Sequence, residues 1–219
     1  MLQDLIVILP ILLVSVAVHE YAHARVALSQ GDRTALALGR VTLNPLRHID
    51  PMGSIVVPLV MWFMSNGTAV FGWAKPVPVN PLNYRNYKRG DILVSAAGVV
   101  SNFILAAGFV VAFILLVYVR RAFPGMAGLL EIGLRMAQFG ILINLVLAVF
   151  NLIPVPPLDG SHIFYHLLPR DLGARYRALS RFGFIPLLLL FFVPGLLQLF
   201  LWPVRVLNDL AFWFIGLWV

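Results

Sequence analysis

The sequence predicts an all-α polytopic membrane protein, with about five transmembrane helices, a re-entrant or half-length helix and a short hairpin. Three observations carry this. The 219 residues are 61% hydrophobic and 11% charged, whereas a soluble domain carries about 25% charged residues. The mean hydropathy is +0.92. Several apolar runs are long enough to span a hydrocarbon core of about 30 Å. Cysteine is absent, which excludes disulfides and thiolate-ligated metals. The net charge of +7, from 14 Arg and 2 Lys, reads as anchoring of short loops on one membrane side and not as a nucleic-acid surface.

The first helix is expected over about Leu2 to Leu28. It has no basic n-region and no small-residue cleavage site, so it reads as a retained helix and not a signal peptide. Gly31 and Asp32 end it. Thr34, Leu36, Leu38, Arg40 and Thr42 then alternate weakly through residues 33–50, which suggests a short hairpin or extended segment. Residues 51–66 are apolar but short and carry Pro58, so a re-entrant or half helix is expected. Residues 71–90, rich in Pro and Asn and carrying Lys75, Arg85, Lys88 and Arg89, read as an extended surface loop.

A second spanning helix is expected over Asp91 to Val119, where Asp91 suits the N-terminal turn. Arg120, Arg121, Pro124 and Gly125 make a tight exit to a third helix over Gly128 to Leu152, with Glu131 and Arg135 spaced as an i, i+4 pair. Residues 153–182 are polar, with Pro154, Pro156, Pro157 and Asp159 followed by Arg170, Arg175, Arg177 and Arg181. Phe182 to Val219 is apolar and broken at Pro194-Gly195 and Pro203, enough for two helices or a helical hairpin. The whole reads as one membrane domain over 1–219, with a core over about 1–170 and a C-terminal helical hairpin over about 182–219.

If residues 51–66 do not cross, loops 29–90 and 153–182 share one side and 120–127 lies on the other. The first side then holds eleven Lys and Arg, from Arg33 to Arg181, and the second only Arg120 and Arg121. That asymmetry places the first side in the cytoplasm and the N-terminus outside.

The chemistry is concentrated in His19-Glu20-Tyr21-Ala22-His23. On a helix, the two histidines lie one turn apart on one face, where both imidazoles reach one metal. Glu20 beside them can act as a base toward water. With five His and two Glu in the chain, the pattern arises by chance in roughly one such sequence per thousand. A catalytic zinc takes three protein ligands. The metzincin continuation is excluded, because Val26 and Ser29 stand where glycine and histidine are needed. Glu131 falls at the opposite membrane face. Asp50, His48, Asp159, His162 and His166 remain as third-ligand candidates. Asp159 is the strongest, held between the stiff Pro156-Pro157 pair and Gly160; the alternative is that it N-caps the next helix. His162 and His166 are also spaced i, i+4, and read more simply as residues of a short interfacial helix.

Asn102 lies roughly 16 Å into its helix and His19 roughly 13 Å from the cytoplasmic end of the first, at about 1.5 Å per residue. Asn151 sits near the cytoplasmic end of the third helix. Amides at this depth can hold a substrate backbone or an oxyanion; the alternative is hydrogen bonding between helices, which is preferred for Asn144.

Three segments together resemble the signatures of the site-2 proteases, intramembrane zinc metalloproteases. They are H-E-x-x-H at 19–23, Gly98-x-x-x-Asn102, and Asn151-x-x-Pro154-x-x-x-Leu158-Asp159-Gly160. Asn44 to Pro51 and Phe71 to Pro78 look like the compact branch of that family, which lacks PDZ and CBS domains. The resemblance implies His19, His23 and Asp159 as ligands of one zinc ion, Glu20 as the base, and Asn102 and Asn151 as residues for the substrate backbone or oxyanion. It also implies that residues 33–50 form a membrane-associated β-hairpin able to pair with an unwound substrate strand. Many members have Gly-Pro where this chain has Gly98-Val99, which bears on local helix geometry. The expected activity is cleavage of transmembrane protein substrates in the cell membrane, from a multi-pass protein whose site opens toward the cytoplasm. A non-enzymatic membrane metal carrier or scaffold is the alternative; it does not require Glu20.

Overall fold

The computed structural model describes residues 2–64, 73–183, 185, 187 and 195–219. Their helices are α1 (Leu2–Gln30), α2 (Thr34–Ala37), α3 (Val57–Met64), α4 (Tyr87–Ala122), α5 (Ala127–Asn151), α6 (Asp159–Tyr165), α7 (Arg170–Arg177) and α8 (Leu196–Gly216). Four stretches are long and apolar enough to cross a membrane: Ile6–Gln30, Tyr87–Ala122, Pro124–Asn151 and Gln198–Gly216. The described residues therefore hold four candidate spanning helices, where about five are expected over the whole chain. The first arm of the expected C-terminal hairpin falls on 184–194, which, apart from 185 and 187, lies outside the described residues. A π-helical turn over Pro51–Val56 runs into α3. Together they extend about 21 Å at 1.5 Å per residue; residues 65 and 66 of the expected half helix lie outside the described residues.

The second spanning helix starts four residues before the expected Asp91, because Asn86 caps it: its side chain accepts from the Arg89 N–H at 3.0 Å. At 36 residues, α4 is about 54 Å long, longer than a hydrocarbon core of about 30 Å. It packs along α5 and α1. Ala106, Ile141, Leu145 and Val149 bury against Val204 and Ile215 of α8. Gly140 of α5 allows this approach, since a Cβ there would sit 2.5 Å from the Phe109 ring. At the far end Glu131 meets Arg120 at 3.1 Å and Arg135 at 3.8 Å, so the expected i, i+4 pair is joined by a closer partner from α4.

The structure does not bear out the hairpin expected over residues 33–50. No strand occurs among the described residues, and this segment holds α2, a turn at Gly39 (φ +62°) and a 3-10 turn over Pro45–Arg47. The cause is local. Asp32 Oδ1 accepts from the Thr34 N–H at 3.1 Å and its hydroxyl at 2.5 Å, which starts a helical turn where a strand would begin. Leu36 and Leu38, the apolar positions of the alternation, are exposed.

Asp32 also sets the following segment. Residues 73–80 run extended as a strap across the C-terminal end of α1; Phe71 and Gly72 lie outside the described residues. The strap is tied by Trp73 N to Gly53 O at 3.0 Å, Lys75 N to His48 O at 2.9 Å, and Asn80 N to Asp32 Oδ2 at 2.7 Å. Arg40 donates to the Lys75 carbonyl at 2.8 Å, and Asn83 to Asp32 Oδ1 at 2.8 Å. Burial alone would raise the Asp32 carboxyl, but the hydrogen bonds from Asn83, Thr34 and Asn80 outweigh it and hold the group below its usual 3.8. A lowered carboxyl stabilises the fold above pH 3.8 and loses that contribution as pH falls through its folded value. Asp32→Asn is therefore expected to lower stability at neutral pH by about 1–3 kcal/mol. Thermal melts in detergent should show the gap to wild type closing on acidification; a gap independent of pH would contradict this.

Candidate metal centre

Three ligand atoms converge between α1, α4 and α6. His19 and His23 are 8% and 9% exposed, and their Nε2 atoms lie 2.9 Å apart. Asp159 Oδ2 lies 3.3 Å from His19 Nε2 and 3.2 Å from His23 Nε2. A tetrahedral zinc with bonds of about 2.0–2.1 Å needs its ligand atoms about 3.3 Å apart, and this triangle is close to that size. Among the described residues it is the only group of three His, Cys, Asp or Glu able to hold a metal ion.

Fixed carbonyls set both tautomers. His23 Nδ1 lies 2.7 Å from the Val94 carbonyl, which only accepts, so Nδ1 carries the proton and Nε2 a lone pair. For His19 a hydrogen-bond relay runs through three helices. Asn144 lies 2.8 Å from the Gly140 carbonyl and 2.9 Å from Ser15 Oγ, so its NH₂ faces that way and its Oδ1 faces Asn102. Asn102 then donates to Asn144 Oδ1 at 2.9 Å and accepts from His19 Nδ1 at 2.6 Å. His19 Nε2 is left with a lone pair. Two lone pairs and a carboxylate oxygen thus face one another, and the buried Asp159 Oδ2 has no hydrogen-bond partner among the described residues. Such an arrangement is repulsive until a cation joins it, and the donor set suits zinc.

Space for the rings comes from Gly98. A Cβ there would stand 2.4 Å from His23 Nε2 and 2.6 Å from His19 Nε2. Asp91, Ser95, Gly98 and Asn102 recur at helical spacing and are buried together on α4. That face accepts from His23 through Val94, makes room at Gly98 and orients His19 through Asn102. Val99, where many site-2 proteases have proline, keeps α4 continuous through the site.

Asp159 is not a cap. It is the first residue of α6, whose N-cap is Leu158, and no side-chain cap bond forms. The helix nests against the end of α5, where a Cβ on Gly160 would lie 2.2 Å from the Leu152 carbonyl oxygen. The other third-ligand candidates are engaged elsewhere: Asp50 accepts from Gly53 N at 2.8 Å, His48 Nε2 lies 2.9 Å from the Thr42 carbonyl, and His162 and His166 both face Asp91.

Glu20 follows His19 and is half-buried. Its Oε2 accepts from the Val77 N–H at 2.7 Å; Pro76 and Pro78 have no N–H, so Val77 is the strap's donor here. Asn102 is fully buried and points its carbonyl at His19, not into open space. Asn151 is half-buried at the end of α5 and donates to Leu147 O at 2.9 Å. Asn144 bridges helices, as preferred. Removing the Asn102 carbonyl with Asn102→Ala is expected to weaken zinc binding about 10–100-fold, with helix content unchanged. Chelator competition measures this, and an unchanged affinity would show that His19 does not need the bond.

Sequence reading missed Ser15, the Val94 carbonyl and the reach of Asp91, and gave Gly98 no spatial role. Only the i, i+4, i+7, i+11 spacing of residues 91, 95, 98 and 102 carried a signal.

The family model described as Peptidase family M50 matches residues 7–191. Among curated proteins the chain is similar to "Putative zinc metalloprotease YwhC" of Bacillus subtilis, 42% identical over 88% of this chain and 82% of the relative. It is also similar to "Putative zinc metalloprotease Rip2" of Mycobacterium tuberculosis, 33% identical over 91% of this chain and 71% of the relative. The protein of the same name from Mycolicibacterium smegmatis is 29% identical over 92% and 70%. No solved structure matches the chain.

Proposed function

The chain belongs to peptidase family M50, the site-2 protease family, and from that membership we propose that it is an intramembrane zinc endopeptidase cutting transmembrane segments of membrane proteins. The observation that carries this is the meeting of two imidazole lone pairs and one carboxylate oxygen with both tautomers fixed. His19, His23 and Asp159 would hold one zinc ion. When bound, zinc polarises the scissile carbonyl and acidifies water. Glu20 takes the proton from the attacking water and delivers it to the leaving amine. Its bond to Val77 aims the carboxylate. Asn102 orients His19, and Asn151 is the amide left for the substrate backbone.

The charge bias of the loops supports a cytoplasmic opening and cleavage near the cytoplasmic end of the substrate span. One turn before His19, a cavity of about 490 Å³ is walled by apolar residues of α1 and α5, including Leu12, Leu13, Val16 and Val146. It suits a transmembrane segment better than a polar peptide. A helical substrate hides its carbonyls, so it must unwind at the cut, and helix-breaking Gly, Pro or Asn there favours cleavage. Residues 1–219 form one catalytic domain in the cell membrane on this proposal. It is tested with protein purified in detergent and a panel of transmembrane reporters. Zinc is expected near one ion per chain, with cleavage lost on chelation and restored by zinc; chelation-resistant cleavage would overturn it.

A further inference from the structure

We propose that Asp91 is a positioning residue of the metal centre, acting through His162 and His166 on the helix that carries Asp159. The inference rests on the zinc-site reading above. Asp159 opens α6, a helix of seven residues, far too short to hold its own direction. The first turn of α6 is fitted to the end of α5 through Gly160, which fixes one end. The other end needs a second anchor, since a small rotation of α6 would carry Asp159 Oδ2 away from the imidazoles.

That anchor is a buried carboxylate. His162 of α6 and His166 at its C-cap lie one turn apart and point the same way. His162 Nδ1 lies 3.2 Å from Asp91 Oδ1, and His166 Nε2 lies 2.7 Å from Asp91 Oδ2. Asp91 is 3% exposed, so both oxygens depend on these partners. Arg177 of α7 stands 3.8 Å from Oδ2, its guanidinium stacked 3.7 Å above the Tyr165 ring. Asp91 shares its face of α4 with Gly98 and Asn102. One helix face therefore references all three ligands: His19 through Asn102, His23 through the Val94 carbonyl, and Asp159 through Asp91 and α6. Asp91 lies two turns from Gly98, about 10 Å along the axis, so it acts at a distance from the reacting atoms.

The test compares zinc dissociation constants by chelator competition, with KM, kcat and melting midpoint, for Asp91→Ala, His166→Ala and His166→Gln. Asp91→Ala is expected to weaken zinc binding about 10–100-fold and to lower kcat more than it raises KM. Glutamine can still donate to Asp91, so His166→Gln should stay within about threefold of wild type while His166→Ala loses about tenfold. A lowered melting midpoint with unchanged zinc affinity would make Asp91 structural only and overturn the proposal. Should Asp91→Ala fail to fold, equal zinc affinities for the two His166 variants overturn it, and the expected split supports it. A wild type that takes up no zinc defeats the metal-site reading itself, whereas tight zinc binding by both wild type and Asp91→Ala defeats only the role of Asp91.

Discussion

Glu20→Gln is expected to retain zinc at the wild-type level and to cut a transmembrane reporter about 10²–10⁴-fold more slowly. The side chain keeps its length and shape, and the glutamine carbonyl can still accept from the Val77 N–H that now holds Oε2 at 2.7 Å. The strap stays in place. The ligand triangle is untouched, because Glu20 is not part of it and its neighbours are fixed by Val94 and Asn102. What disappears is the capacity to take up a proton. Zinc content and cleavage rate should therefore separate in this variant. A carrier or scaffold would be indifferent to the change, since metal binding needs only His19, His23 and Asp159. If Glu20→Gln holds zinc and cleaves at the wild-type rate, the general-base mechanism fails.

The separation is possible because two of the ligands and the base come from one stretch of α1 but are held by different neighbours. H-E-x-x-H was legible because a helix converts spacing of four into a shared face without help from the rest of the chain. Asp159 was legible through its stiff and glycine-bounded turn, although the reason for Gly160 is a carbonyl of α5. The structure added partners. Asn102 has the right depth for a substrate contact, yet its carbonyl is taken by His19, and that depends on Asn144, 42 residues from Asn102, and on Ser15, 129 residues from Asn144. No local pattern encodes such a relay. Residues 33–50 misled for the opposite reason: the weak alternation was real, but Asp32 captured Thr34 and committed the backbone to a turn. Asp91 was read as a helix-start charge. Its partners lie 71 and 75 residues away, and the Asn86 cap moves the helix start beyond it.

Gly98→Ala should remove the metal without touching a polar group. Its Cβ would lie 2.4 Å from His23 Nε2, 2.5 Å from His19 Cε1 and 2.6 Å from His19 Nε2, so something must move. The imidazoles have little freedom, since each is tied at Nδ1 to a buried acceptor on α4 itself. Turning a ring away would break that bond and leave a buried N–H unpaired, costing about 1–3 kcal/mol. Shifting α4 instead would disturb its packing on α1 and α5, and a close-packed interior resists even a methylene of added volume. Either response separates the ligand atoms, so zinc affinity is expected to fall at least about 100-fold, as when ligand support is lost, with cleavage falling alongside. Gly108→Ala, on the same helix, is the control: no atom lies within 4 Å of its Cβ, and alanine in a helix interior gains about 0.5–1 kcal/mol over glycine. Zinc titration and melting of the two variants should diverge in opposite directions. Equal zinc affinity in Gly98→Ala and wild type would mean that the rings do not stand against α4, and the geometry of the metal centre would have to be redrawn.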